Sequence, residues 1–353
     1  MAHGGLANLS SVWKSHVDSV NSIGVSSCGV VASCGDDGVF VWSDCGIHQQ
    51  TFRHQPEPYT AVCFSQSDPN LLLKWSENED EINDVAVSPS GQHVASCDDS
   101  GEIKIYDIRQ KRLYRTLHRC HTNICSSASF HPQRDHHVVS GGLDSCLVVW
   151  DVPRAKALDR LTLMNSSNKG QFVNPPLVHS VAFNQSGDTI ASALGNGVVT
   201  LHYWQGKQGL SHLYDLAAHT HSVSQVVSLP FTERGHLYVS GGNDGKICIW
   251  DVTGIILLAR QSTRNYLTLR TSPAKQAGKK KKKKKVKEQD QPKTNGKGIA
   301  VADGSDCEGT ADYLVQTIDH GSKINWLASG TVAGANVLLV ADQTADISVY
   351  QFA

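Results

Sequence analysis

Charge of either sign is scarce in this chain. Asp, Glu, Lys and Arg make up 18% of 353 residues, and 32 basic against 33 acidic residues leave a formal net charge of −1. That balance excludes a protein that coats nucleic acid with its whole surface. No CxxC pair occurs, and the ten cysteines are scattered as single residues. Met1–Ser10 also lacks a basic patch followed by an apolar run. The expectation is therefore no secretory signal, no disulfide framework, and reduced thiols that serve as small buried apolar side chains. One uncharged stretch, Ile324–Ala341, has nearly the length of a membrane span. Its Asn325, Ser329, Thr331 and Asn336 predict two strands and a turn instead, with no membrane contact. Walker loops, GxGxxG–helix units and GxSxG elbows are missing, so neither nucleotide binding nor a cofactor has support, and no catalytic residue is assigned. His131, His136 and His137 cluster in HPQRDHH, but no Cys or carboxylate set completes a metal site.

What is present is a core and a repeat. Hydrophobic residues reach 40%, enough to bury a large interior. Six segments read as strand, tight turn, strand: Ser33–Trp42, Ser96–Tyr106, Ser140–Trp150, Ser192–His202, Ser240–Trp250 and Val340–Tyr350. Each has a Gly, Asp or Asn turn followed by β-branched alternation closing on an aromatic or His. Apolar anchors precede them at Ile23, Phe64, Val87, Phe130, Phe183, Leu229 and Leu327. Most anchor intervals fall near 40–45 residues, the period of a four-stranded propeller blade.

On Trp150-Asp151 and Trp250-Asp251 with their upstream Ser and Asp, the chain resembles the WD-repeat β-propeller family. The resemblance implies an all-β fold: one seven-bladed WD40 β-propeller built from residues 6–253 and 313–353. It also implies a buried hydrogen-bond set in each good blade, at His219, Ser240, Asp244 and Trp250 and again at His121, Ser140, Asp144 and Trp150. Indole N–H to hydroxyl, hydroxyl to imidazole and imidazole to carboxylate leaves none of these groups alone. Recurrence of the His-Ser-Asp trio marks a structural device and not a hydrolase triad. Tyr106, His202 and Tyr350 stand where Trp is usual, and Ser100 and Thr344 at the turn carboxylate position. The strand near Asn8–Lys14 is expected to pair beside Ile347–Tyr350 and close the ring.

Two regions break the period. Phe64 to Val87 is about twenty residues short, so the second blade is expected to be truncated, with strands over Tyr59–Ser65 and Leu71–Trp75. Gly254–Asp312 holds 14 Lys or Arg against 6 Asp or Glu and is expected as a disordered insertion between blades six and seven, with Ile255–Ala259 extending blade six. Its run Lys279, Lys280, Lys281, Lys282, Lys283, Lys284 and Lys285 suits an importin groove, as a nuclear-localisation signal, or a non-specific polyanion. Nucleus and cytoplasm are the expected locations, and a monomer the expected state.

The resemblance also points to a partner. Propellers that serve as substrate receptors of cullin-4 ubiquitin ligases end a blade in Trp-Asp-x-Arg, whose Arg engages the adaptor DDB-one. The nearest match is Tyr106-Asp107-Ile108-Arg109, with Tyr in place of Trp; in Trp150-Asp151-Val152-Pro153-Arg154 the Arg comes one position late. The expected function is a non-enzymatic scaffold for protein–protein interaction, in its concrete form such a receptor or adaptor. The alternative is a nuclear chromatin- or RNA-associated propeller using the Lys run.

Overall fold

The structure, a computed structural model, describes residues 6–43, 46–53, 59–65, 78, 80–164, 174–206, 209–231, 236–271 and 312–353, with 263–271 described by backbone alone. Among these residues twenty-four strands form six four-stranded antiparallel sheets. In the first, β2 (Val20–Val25), β3 (Val31–Gly35), β4 (Gly38–Trp42) and β5 (His48–Phe52) follow one another outward. The same order holds for β6 (Ile82–Val87), β7 (His93–Asp98), β8 (Ile103–Asp107) and β9 (Arg112–Leu117). It holds for β10 (Cys125–His131), β11 (Arg134–Gly142), β12 (Cys146–Asp151) and β13 (Lys156–Thr162). It holds again for β14 (Val178–Phe183), β15 (Thr189–Leu194), β16 (Val198–Trp204) and β17 (Leu210–Ala217). The fifth sheet is β18 (Val223–Ser228), β19 (Leu237–Gly242), β20 (Lys246–Asp251) and β21 (Leu314–Asp319). The last is β22 (Ile324–Val332), β23 (Ala335–Asp342) and β24 (Asp346–Phe352), completed on its outer edge by β1 (Ala7–Lys14). Each sheet is named here by its innermost strand.

Burial follows position in the blade. Middle strands are covered on both faces by neighbouring blades and read as continuous apolar or small runs; β12 and β15 are buried throughout. Outer strands meet solvent on one face and alternate, as β13 and β21 do. Ile324–Ala341 supplies β22 and β23, two strands and a turn.

Register is set by repeated bulges. In all six sheets the pairing of the first two strands breaks after the first residue of the inner strand, as at Val20/Ser22 and Cys125/Ser127. The extra residue is Asn21, Asn83, Ser126, His179, Ser224 or Asn325, and it lines the central channel. β1 pairs with β24 from Ala7↔Phe352 to Lys14↔Asp346, so the two ends of the chain complete one blade. Gln316 on β21 fastens this seam, accepting from Ala7 N–H at 3.0 Å and donating to Ala7 C=O at 2.9 Å.

Three expectations change. Among the described residues there are six complete blades and not seven. Residues 59–65, expected as a strand, join no ladder, yet they lie beside β2 as an inner strand would. Asn21 Nδ2 donates to Tyr59 C=O at 3.2 Å, and Val62 N–H donates to Ser22 Oγ at 3.2 Å. The same two bonds join β6 to β10, from Asn83 to Cys125 C=O and from Ala128 N–H to Asp84, and the second recurs between Val181 and Ser127. Thr60 lines the channel in line with the six bulge residues. The second repeat thus keeps its innermost segment, while Leu71–Trp75 lies outside the described residues. The long insertion sits inside the β18 blade, between β20 and β21, and not between two blades. Its start is not irregular: Thr253–Thr271 is a helix, α1. Ile255 and Ile256 are buried against Leu216, Val252 and Trp250, so this segment extends the blade's core as a helix turn. Arg260 then pairs with Asp188 of the β14 blade at 2.6 Å and with Ser186 Oγ at 2.8 Å, fixing α1 across two blades.

Candidate functional site

The polar sets form chains through the blades. Trp250 indole N–H donates to Ser240 Oγ at 2.9 Å, the Ser240 hydroxyl to His219 Nε2 at 2.8 Å, and His219 Nδ1–H to Asp244 at 3.0 Å. Trp150, Ser140, His121 and Asp144 repeat this at 3.2, 2.9 and 2.8 Å. Asp244 and Asp144 also accept the backbone N–H of Thr220 and Thr122. Burial works against the Asp144 charge, but the bonds from His121 and Thr122 outweigh it and hold its carboxyl at about 2. Burial lowers the His219 imidazole despite Asp244 beside it. Ser140 and Ser240 are sealed from solvent, and each Oγ is occupied by an indole. A substrate carbonyl cannot reach them.

Three further sets escaped the sequence. His16 bonds Asp37 and Ser33, each at 2.6 Å, and Trp42 donates to Ser33 at 2.8 Å. His320 takes Asp342 at 2.9 Å and the Tyr350 hydroxyl at 2.7 Å. In the β6 blade Asn78 replaces the imidazole: Ser96 and Tyr106 hydroxyls donate to its Oδ1 at 3.1 and 2.9 Å, and its Nδ2 donates to Asp98 at 2.8 Å. In the last two the signal was a two-residue shift. A Cβ on Gly142 would come within 2.4 Å of the His121 ring, so that blade carries its carboxylate two residues later, at Asp144. Where Asp98 or Asp342 stands at the glycine's place, the turn position holds Ser100 or Thr344, whose hydroxyl donates back to that aspartate. The β14 blade lacks a set: Ser192 Oγ and His202 Nδ1 are buried without a partner among the described residues.

The Tyr106, Asp107, Arg109 motif divides between interior and surface. Tyr106 is buried and bound to Asn78. Asp107 closes the turn after β8 by accepting Gln110 N–H at 2.8 Å. Ile108 is buried, and Arg109 projects into solvent on the face that carries the turns between third and fourth strands. In the β10 blade Asp151 accepts Arg154 N–H at 3.1 Å in the same turn, so Pro153 takes the place of Arg109. Arg154 folds back on Asp151 at 2.9 Å.

Elsewhere, a cavity of about 790 Å³ lies at one mouth of the central channel, lined by the seven polar residues of the inner segments with Lys323 and Asp18 at its rim. Lys279–Lys285 lies outside the described residues. Burial, then the charge of Arg134, lowers His131 to about 4, and its Nδ1 accepts Gln133 N–H at 3.1 Å. No group of metal-ligating side chains is found among the described residues, and none of their helices is long and apolar enough to cross a membrane.

Comparison with known proteins agrees with this geometry. Residues 70–107, 111–151 and 210–251 match the WD domain, G-beta repeat, so the chain carries WD40 repeats. The second and third matches each begin on an outer strand, β9 or β17, and end on the third strand of the next blade, as β1 and β24 also share a blade. The chain is 28% identical to the WD repeat-containing protein 53 homolog of Dictyostelium discoideum, over 64% of this chain and 72% of that protein. It is 24% identical to the periodic tryptophan protein 2 homolog of the same organism, over 72% of this chain and 31% of that protein. It is 25% identical to cell division cycle 20.1, cofactor of APC complex, of Arabidopsis thaliana, over 53% of this chain and 39% of that protein.

Proposed function

We propose that this WD40-repeat propeller is a non-catalytic scaffold that binds other proteins through its loop faces, and that it acts as a substrate receptor or adaptor of a cullin-4 ubiquitin ligase. The coarser half rests on architecture. WD40 propellers are in general protein-binding scaffolds, and the His-Ser-Asp sets here are enclosed structural parts. The observation that carries the finer half is Arg109: an exposed guanidinium in the turn after β8, closing the sequence Tyr-Asp-Ile-Arg, free of any ion pair among the described residues. A planar five-donor fork on a rigid turn suits a protein contact. One relative's name describes a cofactor of the APC complex, which supports a role within a protein assembly for this kind of repeat. An importin or polyanion contact by Lys279–Lys285 is a second reading, carried by sequence charge alone. The test is binding of the purified cullin-4 adaptor DDB-one to the immobilised full chain. The expected result is measurable affinity that falls about tenfold or more in Arg109→Ala with an unchanged melt. Equal affinity for both, or none for either, removes the receptor reading.

A further inference from the structure

The turns after β8 and β12 are built alike and lie side by side. Each opens on an aspartate that accepts the backbone N–H three residues on, Gln110 to Asp107 and Arg154 to Asp151. Each passes through a left-handed residue, Lys111 at φ 51° and Ala155 at φ 48°. Arg115 on β9 reaches across to the second of them: its Nε donates to Pro153 C=O at 3.3 Å while its guanidinium lies 4.6 Å over the Tyr114 ring. Ser90 N–H donating to Asp135 at 3.0 Å joins the adjacent turns of the same two blades.

This construction gathers Arg109, Lys111 and Arg112 from one turn with Arg154 and Lys156 from the next, all exposed. Arg154 alone among the five has an ion pair among the described residues. The nearby carboxylates, Asp107, Asp135 and Asp151, are each committed to a backbone N–H. Two exposed leucines accompany the cations: Leu113, 44% exposed, follows Arg112, and Leu158, 41% exposed, lies two residues beyond Lys156. Apolar side chains bordered by arginines have the composition of a protein interface.

We infer that this face of the β6 and β10 blades docks an acidic segment of a protein partner in which carboxylates alternate with apolar side chains. Carboxylates meet the guanidinium forks, and the apolar residues cover Leu113 and Leu158. A nucleic-acid backbone fits less well, since it offers phosphates but nothing for the two leucines. The inference rests on the scaffold reading and adds the chemistry of the partner.

The test uses the full chain with Lys279–Lys285→Gln, which removes the other basic cluster. The probe is a short labelled peptide of alternating Glu and Leu, read by fluorescence anisotropy. Controls are the same peptide with Gln for Glu and an oligonucleotide duplex. The acidic peptide binds, weakens with salt, and loses about tenfold or more in affinity in R109E/R112E/K156E. The Gln peptide and the duplex bind more weakly. The neutral variant R109Q/R112Q/K156Q, with an unchanged melt, shows an intermediate loss. No binding of the acidic peptide, equal binding by the triple variant, or tighter binding of the duplex overturns the inference. Co-purification separates the two levels. The same proteins captured by wild type and triple variant sink this inference and leave the scaffold standing; no protein captured by wild type sinks the scaffold.

Discussion

Ser240 and Ser192 occupy equivalent strand positions with opposite surroundings. Ser240 Oγ serves Trp250 and His219 at once, whereas Ser192 Oγ is buried without a partner among the described residues. Ser240→Ala strands an indole N–H and disrupts the imidazole chain, and is expected to cost about 2 kcal/mol or more in denaturant unfolding. Ser192→Ala is expected to change stability by less than about 0.5 kcal/mol. Asp84 is another local exception. It stands where other inner strands carry Ser22, Ser127 and Ser180, and accepts from Ser127 Oγ at 2.8 Å and Ala128 N–H at 3.1 Å. Burial nevertheless pushes its carboxyl up to about 7. The folded state therefore holds a proton that the unfolded chain releases near pH 4, and this contribution to stability is lost as pH rises towards 7. Asp84→Asn removes that dependence. At pH 8 the variant is expected to be more stable than wild type by about 2 kcal/mol, and at pH 5 the gain disappears. Urea melts at both pH values check this. The Ser-His-Asp-Trp sets at His219 and His121 were legible because residue types and spacing repeat. The sets at His320 and Asn78 were not, because the carboxylate had moved two residues to Asp342 and Asp98 and, at Asn78, an amide had replaced the ring.

Strands were readable where burial gives them a period, and the closing β1–β24 pair was expected because a propeller closes its ring. Removing residues 1–15 uncovers the β24 edge and the Gln316 clasp on Ala7, and is expected to lower the melting temperature by about 5 °C or more. An unchanged melt on differential scanning calorimetry contradicts the seam. Two elements depart from the sequence reading for physical reasons. α1 lacks acidic residues in its first turn, and its sequence blends into a basic tract, so Ile255 and Ile256 were legible as an extension of the blade but not as a helix. Tyr59–Ser65 reads as a strand because its residues do the work of one, filling the place beside β2 and bonding to Asn21 and Ser22, though it has no ladder partner.

At the scale of the molecule, six blades and one inner segment surround a channel edged by single polar residues, and the turn faces of the blades are the broad surfaces left for other molecules. Among the described residues the His-Ser-Asp sets are enclosed, whereas Arg109, Lys111, Arg112 and Lys156 stand exposed on one face with no ion pair among those residues. The central claim is that this ring works by holding proteins. Co-purification of the tagged full chain from cells, followed by cross-linking and mass spectrometry, tests it most directly. A defined protein partner in near-stoichiometric yield, cross-linked through Lys111 or Lys156, is the predicted result. A chain that emerges alone, or with nucleic acid as its sole companion, contradicts it.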